Sequence, residues 1–227
     1  MPGLPRPAPR ATLATMDENR PESGQARAID AGQALRYAAE TQDEAYRSGA
    51  YDFVEALDMV PRMGVLASYI RYLGLSRVLD IGCGTGLLLD QLAPSVTYVG
   101  VDISPTAIDE AERRHAAWPN AQFHAASFRD WSCPLGDLDA LVWAGIGRTW
   151  TRGGRKGRFE DWLEILERAE PWLAPDAVIL LEMVAPHWAN MAPLIAERYT
   201  PLAGCELDHG LNDHRAVRAI RVFRRKT

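Results

Sequence analysis

The chain has 227 residues, 47% of them hydrophobic and 24% charged. That is one sizeable domain, apolar enough to bury a core without a metal or disulfide staple, and too apolar for a disordered or collagen-like chain. The 25 basic and 30 acidic residues leave a net charge of −5, which argues against broad nucleic-acid binding, because a phosphate backbone calls for a basic face.

No run of about 18 apolar residues is long enough to span a membrane. Cys83, Cys133 and Cys205 are an odd, widely spaced set with no C-x-x-C and no Cys/His spacing suited to zinc. They read as free thiols in a reducing compartment, and no metal site is expected. The start of the chain lacks a positive segment leading into an apolar core and a small-residue cleavage site, so a cytoplasmic protein is expected.

Residues 1–25 hold Pro2, Pro5, Pro7, Pro9 and Pro21 with almost no large apolar side chains, and read as a disordered tail. Residues 26–75 form a helical segment. From Ala26 to about Gly49 the pattern is polar but helix-compatible, with a break at Ser48-Gly49. Val65, Leu66, Tyr69, Ile70 and Leu73 then recur at helical spacing. Pro61 suits the first turn of that helix and Gly74 its C-terminal cap.

From residue 76 the period changes. Residues 77–81 are a short apolar run that ends in Gly82-Cys83-Gly84-Thr85-Gly86. Residues 87–93 read as a helix cut off by Pro94. Residues 97–101 are a second strand ending at Asp102. Ser104-Pro105 starts a helix that continues to residue 117. Residues 122–125 and 140–143 are a third and a fourth strand. Residues 159–173 form an amphipathic helix, 177–181 a fifth strand and 189–198 another helix. Two late strands fall near 204–207 and 216–223. Almost purely apolar strands alternating with helices imply a parallel α/β sheet covered on both faces.

The informative stretch is Val78-Leu-Asp-Ile-Gly-Cys-Gly-Thr-Gly-Leu87. Glycines allow positive φ and a close approach of ligand to backbone, and a helix start would offer free N–H groups to an anion. Asp102 lies 16 residues after Gly86, at a strand end, where a carboxylate can accept hydrogen bonds from both hydroxyls of a ribose. The dinucleotide fingerprint is G-x-G-x-x-G. Here the spacing is G-x-G-x-G with Leu87 at the position of the last glycine, which counts against a pyrophosphate.

VLDIGCGTG followed by VGVDIS resembles the signature of class I S-adenosylmethionine (SAM)-dependent methyltransferases of the small-molecule type. The resemblance implies a Rossmann-like, doubly wound, mostly parallel seven-stranded sheet over residues 76–227, with residues 26–75 as an N-terminal helical cover. It implies that Gly82, Gly84 and Gly86, with Cys83 between them, line the methionine part of SAM. Asp80 would order that loop or reach the ammonium through water, Asp102 would hold the ribose and Ile103 would lie against the adenine. Ser127 stands where the family often has an acid for the adenine amino group, and the Phe128 N–H could meet a ring nitrogen. Trp143 and Ala144 would flank the sulfonium. The reaction would leave S-adenosylhomocysteine.

Methyl transfer is a direct displacement, so the protein mainly aligns the reacting atoms, and a base helps where the acceptor carries a proton. Bases belong on loops at the C-terminal strand ends. His187 and Glu182 are the candidates there. The run Arg148–Arg158 has five basic residues, no acid and three glycines, and reads as a lid for an anionic group on the acceptor or as a solvated loop. The expected activity is methyl transfer to O, N or C of a small molecule in specialised metabolism. The alternatives are an RNA or protein methyltransferase, and a SAM-binding protein of the same fold without methyl transfer.

Overall fold

The computed structural model describes residues 31–55, 59–146, 159–208 and 217–226. Strand β1 (Arg77–Ile81) is buried along all but its first residue. It lies at the centre of the sheet, parallel to β2 (Thr97–Asp102) on one side and to β4 (Leu138–Ile146) on the other. β3 (Ala121–Ala125) extends the sheet beyond β2, and β5 (Leu173–Val184) extends it beyond β4, both in parallel. β7 (Arg218–Arg225) then runs antiparallel to β5, and β6 (Tyr199–Leu207) antiparallel to β7. The order β3-β2-β1-β4-β5-β7-β6 is the expected mostly parallel, seven-stranded, doubly wound sheet.

Both faces are covered, which is why the inner strands carry apolar side chains on both. On one face Leu79, Val99, Leu141 and Ile179 pack against Ile165 and Leu166 of α4 (Phe159–Ala169) and Met191 and Ile195 of α5 (Ala185–Ala196). On the other, Val78, Tyr98, Val142 and Leu180 meet Met63, Leu66 and Ile70 of α2 (Pro61–Tyr72) and Ile108 of α3 (Pro105–Arg114). Helix α1 (Ala31–Arg47) and a 3-10 turn (Asp52–Glu55) precede these elements. Among the described residues no helix is long and apolar enough to cross a membrane.

The helix ends follow local chemistry. Pro61 opens α2. Gly74, at φ +69°, closes it with its N–H on the Arg71 carbonyl at 3.2 Å and the Leu75 N–H on the Ile70 carbonyl at 3.0 Å, the paired bonds of a Schellman cap. The Ser104 hydroxyl accepts the Ala107 N–H at 3.2 Å and caps α3.

The helix expected to run to residue 117 stops at Arg114, and three further elements differ from the sequence expectation. Residues 87–93 form no α-helix. Successive short-range bonds, Leu89 N–H to Gly86 O at 2.9 Å and Leu92 N–H to Leu89 O at 3.1 Å, give turns and a 3-10 segment at Leu89–Gln91. Too few residues separate the glycine turn from Pro94 to nucleate an α-helix. The helix expected to 173 ends at Ala169 and passes into a 3-10 turn, Glu170–Trp172, where Pro171 lacks the N–H a continuing helix needs. Helix α5 starts at Ala185, directly off β5, with Pro186 in its first turn. His187 therefore sits on a helix rather than in a loop. The expected tail, 1–25, and the basic run, 148–158, lie outside the described residues.

Candidate active site

The turn after β1 sits at the C-terminal edge of the sheet. Gly82, Gly84 and Gly86 hold φ of +70°, +54° and +79°, a region that L side chains rarely enter. The Gly82 and Cys83 N–H groups both donate to the Val101 carbonyl, at 2.8 and 3.2 Å, tying the turn to β2. Each glycine faces something different. No atom lies within 4 Å of where a Cβ on Gly82 would stand. A Cβ on Gly84 would stand 2.6 Å from the Tyr46 hydroxyl. One on Gly86 would stand 2.8 Å from the ring of His115, itself held by Ala111 O and Asp90. Gly82 therefore has an open side, whereas Gly86 packs against a ring. The Cys83 side chain turns inward, 2.8 Å from where a Cβ on Gly100 would be. Burial pushes its thiol pKa up, so Cys83 offers the crevice only backbone.

Asp102 ends β2 beside that turn. One carboxylate oxygen accepts the Gly84 N–H at 3.0 Å and the other the Ser104 N–H at 2.9 Å. Each oxygen keeps a further lone pair for a ligand hydroxyl. Burial raises the Asp102 pKa, against the pull of those N–H groups. Asp80 lies beneath the turn, 3% exposed, and accepts the Tyr98 hydroxyl at 2.6 Å. Burial pushes its carboxyl up to about 7, opposed by the Tyr98 bond.

The Ala126 N–H donates to Asp102 O at 2.8 Å, which brings Ser127 close to Asp102. The Ser127 hydroxyl accepts the Arg129 N–H at 3.3 Å and its carbonyl the N–H groups of Asp130 and Trp131, both at 3.0 Å. Ser127 thus organises a turn. The Phe128 ring is buried against Trp131 and Trp172. Ile103 is half-buried next to Asp102.

At the ends of β4 and β5, Trp143 is buried and Ala144 half-buried. The pairing shifts register between Trp143 and Ile146, and Gly145 holds φ +71°. This is a bulge that re-aims the end of β4. The Gly145 N–H donates to Glu182 at 2.6 Å. Glu182 is fully buried, with Arg218 forked onto both its oxygens and Arg62 at 3.3 Å. Burial raises its pKa, but the two guanidiniums and the Gly145 N–H outweigh that and hold it below the usual range. A carboxylate so occupied is a poor proton acceptor. The geometry gives Glu182 a positioning task rather than the catalytic one expected of it. His187 is half-buried in the first turn of α5.

Several residues with no site role expected from the sequence also meet here. Asp43 of α1 accepts the Ser104 hydroxyl at 2.8 Å and the Thr106 N–H at 2.9 Å. The Thr106 N–H above all, with the Ser104 hydroxyl, lowers its carboxyl to about 2, against the opposing effect of desolvation. Arg62 joins α2 to Glu182, and Tyr46 reaches Gly84. Tyr51 donates its hydroxyl to Gln42 at 2.5 Å and packs at a tilt against Tyr46, 4.8 Å between ring centres. Glu55 accepts the Thr85 hydroxyl at 3.0 Å. Such contacts join distant parts of the chain and leave no local period to read. Among the described residues no cluster of His, Cys, Asp and Glu could hold a metal.

Residues 78–168 match the family model described as "Methyltransferase domain". No curated protein sequence matches the chain. Among solved structures, the N-methyltransferase NodS from Bradyrhizobium japonicum WM9, in complex with S-adenosylhomocysteine, is 16% identical. It covers 88% of this chain and 100% of its own, with a TM-score of 0.64. The 1,6-didemethyltoxoflavin-N1-methyltransferase of Burkholderia thailandensis is 14% identical over 90% of this chain and 94% of its own, with a TM-score of 0.63. Magnesium protoporphyrin IX methyltransferase from Synechocystis PCC 6803 is 12% identical over 82% and 97%, with a TM-score of 0.64. At these identities the likeness is one of fold.

Proposed function

We propose that the chain is a class I SAM-dependent methyltransferase that transfers the methyl group of SAM to O, N or C of a small-molecule acceptor in the cytoplasm. The observation that carries this reading is the pairing of Gly82 and Asp102. An open side on a glycine stands beside a carboxylate with lone pairs to spare. These residues fit an adenosyl group with its ribose hydroxyls on Asp102. The missing α-helix after the turn supports the same choice. Without a helix N-terminus the turn is a weaker cradle for a pyrophosphate and more tolerant of a cation.

SAM supplies a methyl group already activated on a sulfonium, and the residues need only bind, orient and handle a proton. Asp102 would hold the ribose, with Ile103 at the adenine and Ser127 and Phe128 at the turn beyond it. Arg62 would face the carboxylate end; its charge acts on both Tyr46 and Asp80. The re-aimed end of β4, Trp143–Ala144, would flank the sulfur. His187, at the C-terminal edge of β5, would take the proton of a hydroxyl, phenol or ammonium acceptor. An anionic group on the acceptor suits the basic run 148–158.

Incubation with methyl-labelled SAM and separate small-molecule, RNA and protein fractions tests the reading. Label in the small-molecule fraction, with stoichiometric S-adenosylhomocysteine, is the expected result. Label confined to RNA or protein would overturn the acceptor class, and bound SAM with no transfer to any fraction would overturn the activity.

A further inference from the structure

We propose that Tyr46 is a cofactor-binding residue whose hydroxyl hydrogen-bonds the methionyl end of SAM, so that α1 is a wall of the cofactor crevice. This rests on the reading of the site given above and adds to it a residue from outside residues 78–168. Tyr46 sits where the glycine turn is tightest, since a Cβ on Gly84 would come within 2.6 Å of its hydroxyl. That hydroxyl makes no hydrogen bond to any described residue, although the ring is half-buried and packed on Tyr51 at 4.8 Å. The hydroxyls of the fully buried Tyr98 and Tyr199 are by contrast used, on Asp80 and Glu170.

The position is fixed rather than incidental. Asp43, three residues earlier and so on the same side of α1, is bonded to Ser104 and Thr106 in the segment following Asp102. Glu55 holds Thr85 from beyond the helix. Tyr46 is therefore delivered to the turn by anchors on both sides of it, next to the open side of Gly82. Burial and the charge of Asp102 push the phenol pKa far up, so it stays protonated and available as a donor. The hydroxyl is only partly buried and has no internal partner, so it is free to donate to a ligand atom that enters the crevice.

Calorimetric titration with S-adenosylhomocysteine and with adenosine, together with thermal melts of the unliganded protein, tests this on wild type and Tyr46→Phe. Loss of one hydrogen bond should weaken S-adenosylhomocysteine about three- to tenfold. Adenosine, which lacks the methionyl end, should bind both proteins equally. The unliganded melting temperature should not fall, because no protein group loses a partner. Equal affinity of both proteins for S-adenosylhomocysteine would overturn the proposal. So would an equal loss for adenosine, or a lower unliganded melting temperature with unchanged binding. Wild-type protein that takes up neither compound would remove the reading of the site itself, and this inference with it.

Discussion

Asp43 and Ser104 meet at 2.8 Å, and through that bond helix α1 is fastened to the turn that follows Asp102. The same Ser104 caps α3 with its hydroxyl oxygen and donates its backbone N–H to Asp102. One serine thus links the N-terminal segment, the start of a core helix and the acid proposed to hold a ribose. The segment before β1 takes part in the site's geometry.

Asp43→Ala should loosen α1 while the sheet stays folded, at a cost of about 1 kcal/mol, the usual worth of a capping side chain. The pH dependence has a definite sign. The carboxyl lies at about 2 in the folded chain against 3.8 normally. Its contribution is complete above about pH 4 and disappears as pH falls towards 2. Hydrogen exchange of residues 39–47 should therefore quicken in the variant at pH 7, and the variant and wild type should converge at low pH.

Asp80 behaves the opposite way. Its carboxyl is held at about 7 in the folded chain, above 3.8. The folded state thus binds the proton more tightly than the unfolded one, and stability falls as pH rises from about 4 through 7. Asp80→Asn keeps an acceptor for the Tyr98 hydroxyl and removes the charge. It should be more stable than wild type at pH 8, by on the order of 4 kcal/mol at most, and about equally stable at pH 4. Parallel melts at the two pH values check this.

Glu182→Gln separates a positioning role from a catalytic base. Removing the charge leaves Arg62 and Arg218 facing a neutral amide in a buried site. The expected loss is about 3–5 kcal/mol of stability, the cost of breaking a buried ion pair. A variant as stable as wild type that binds S-adenosylhomocysteine normally and lacks turnover would instead make Glu182 the base.

His187→Ala should lower turnover by about 10²-fold or more where the acceptor carries a proton, the usual size of a general-base effect. S-adenosylhomocysteine affinity should stay nearly unchanged, because the proposed task of the imidazole concerns the acceptor and not the cofactor. Single-turnover rates read alongside calorimetry distinguish the two effects.

Much of this was legible from local pattern. The apolar runs Val78–Ile81 and Thr97–Val101 could hardly be anything but buried parallel strands, and Ser104-Pro105 and Gly74 carry their cap chemistry in their own side chains or lack of one. The glycine turn was legible too, but which glycine is open was not. His115 and Tyr46 decide that, and they come from elements 29 residues after Gly86 and 38 before Gly84. The absent helix after Leu87 was misread because three leucines look helical whether or not there is room for α-helical turns. The surroundings of Glu182 were not legible for a related reason. A carboxylate at a strand end is a base or an ion-pair centre according to its neighbours, and Arg62 and Arg218 are distant in sequence on either side.

The central claim is that the open glycine turn and Asp102 together grip an adenosyl sulfonium. Calorimetric titration of wild-type protein and Asp102→Ala with SAM tests it most directly. The account predicts saturable binding to the wild type and at least about tenfold weaker binding to the variant, since two hydrogen bonds to a charged acceptor are lost. Equal affinity of the two proteins, or a wild type that ignores SAM and takes up a nicotinamide dinucleotide, would contradict it.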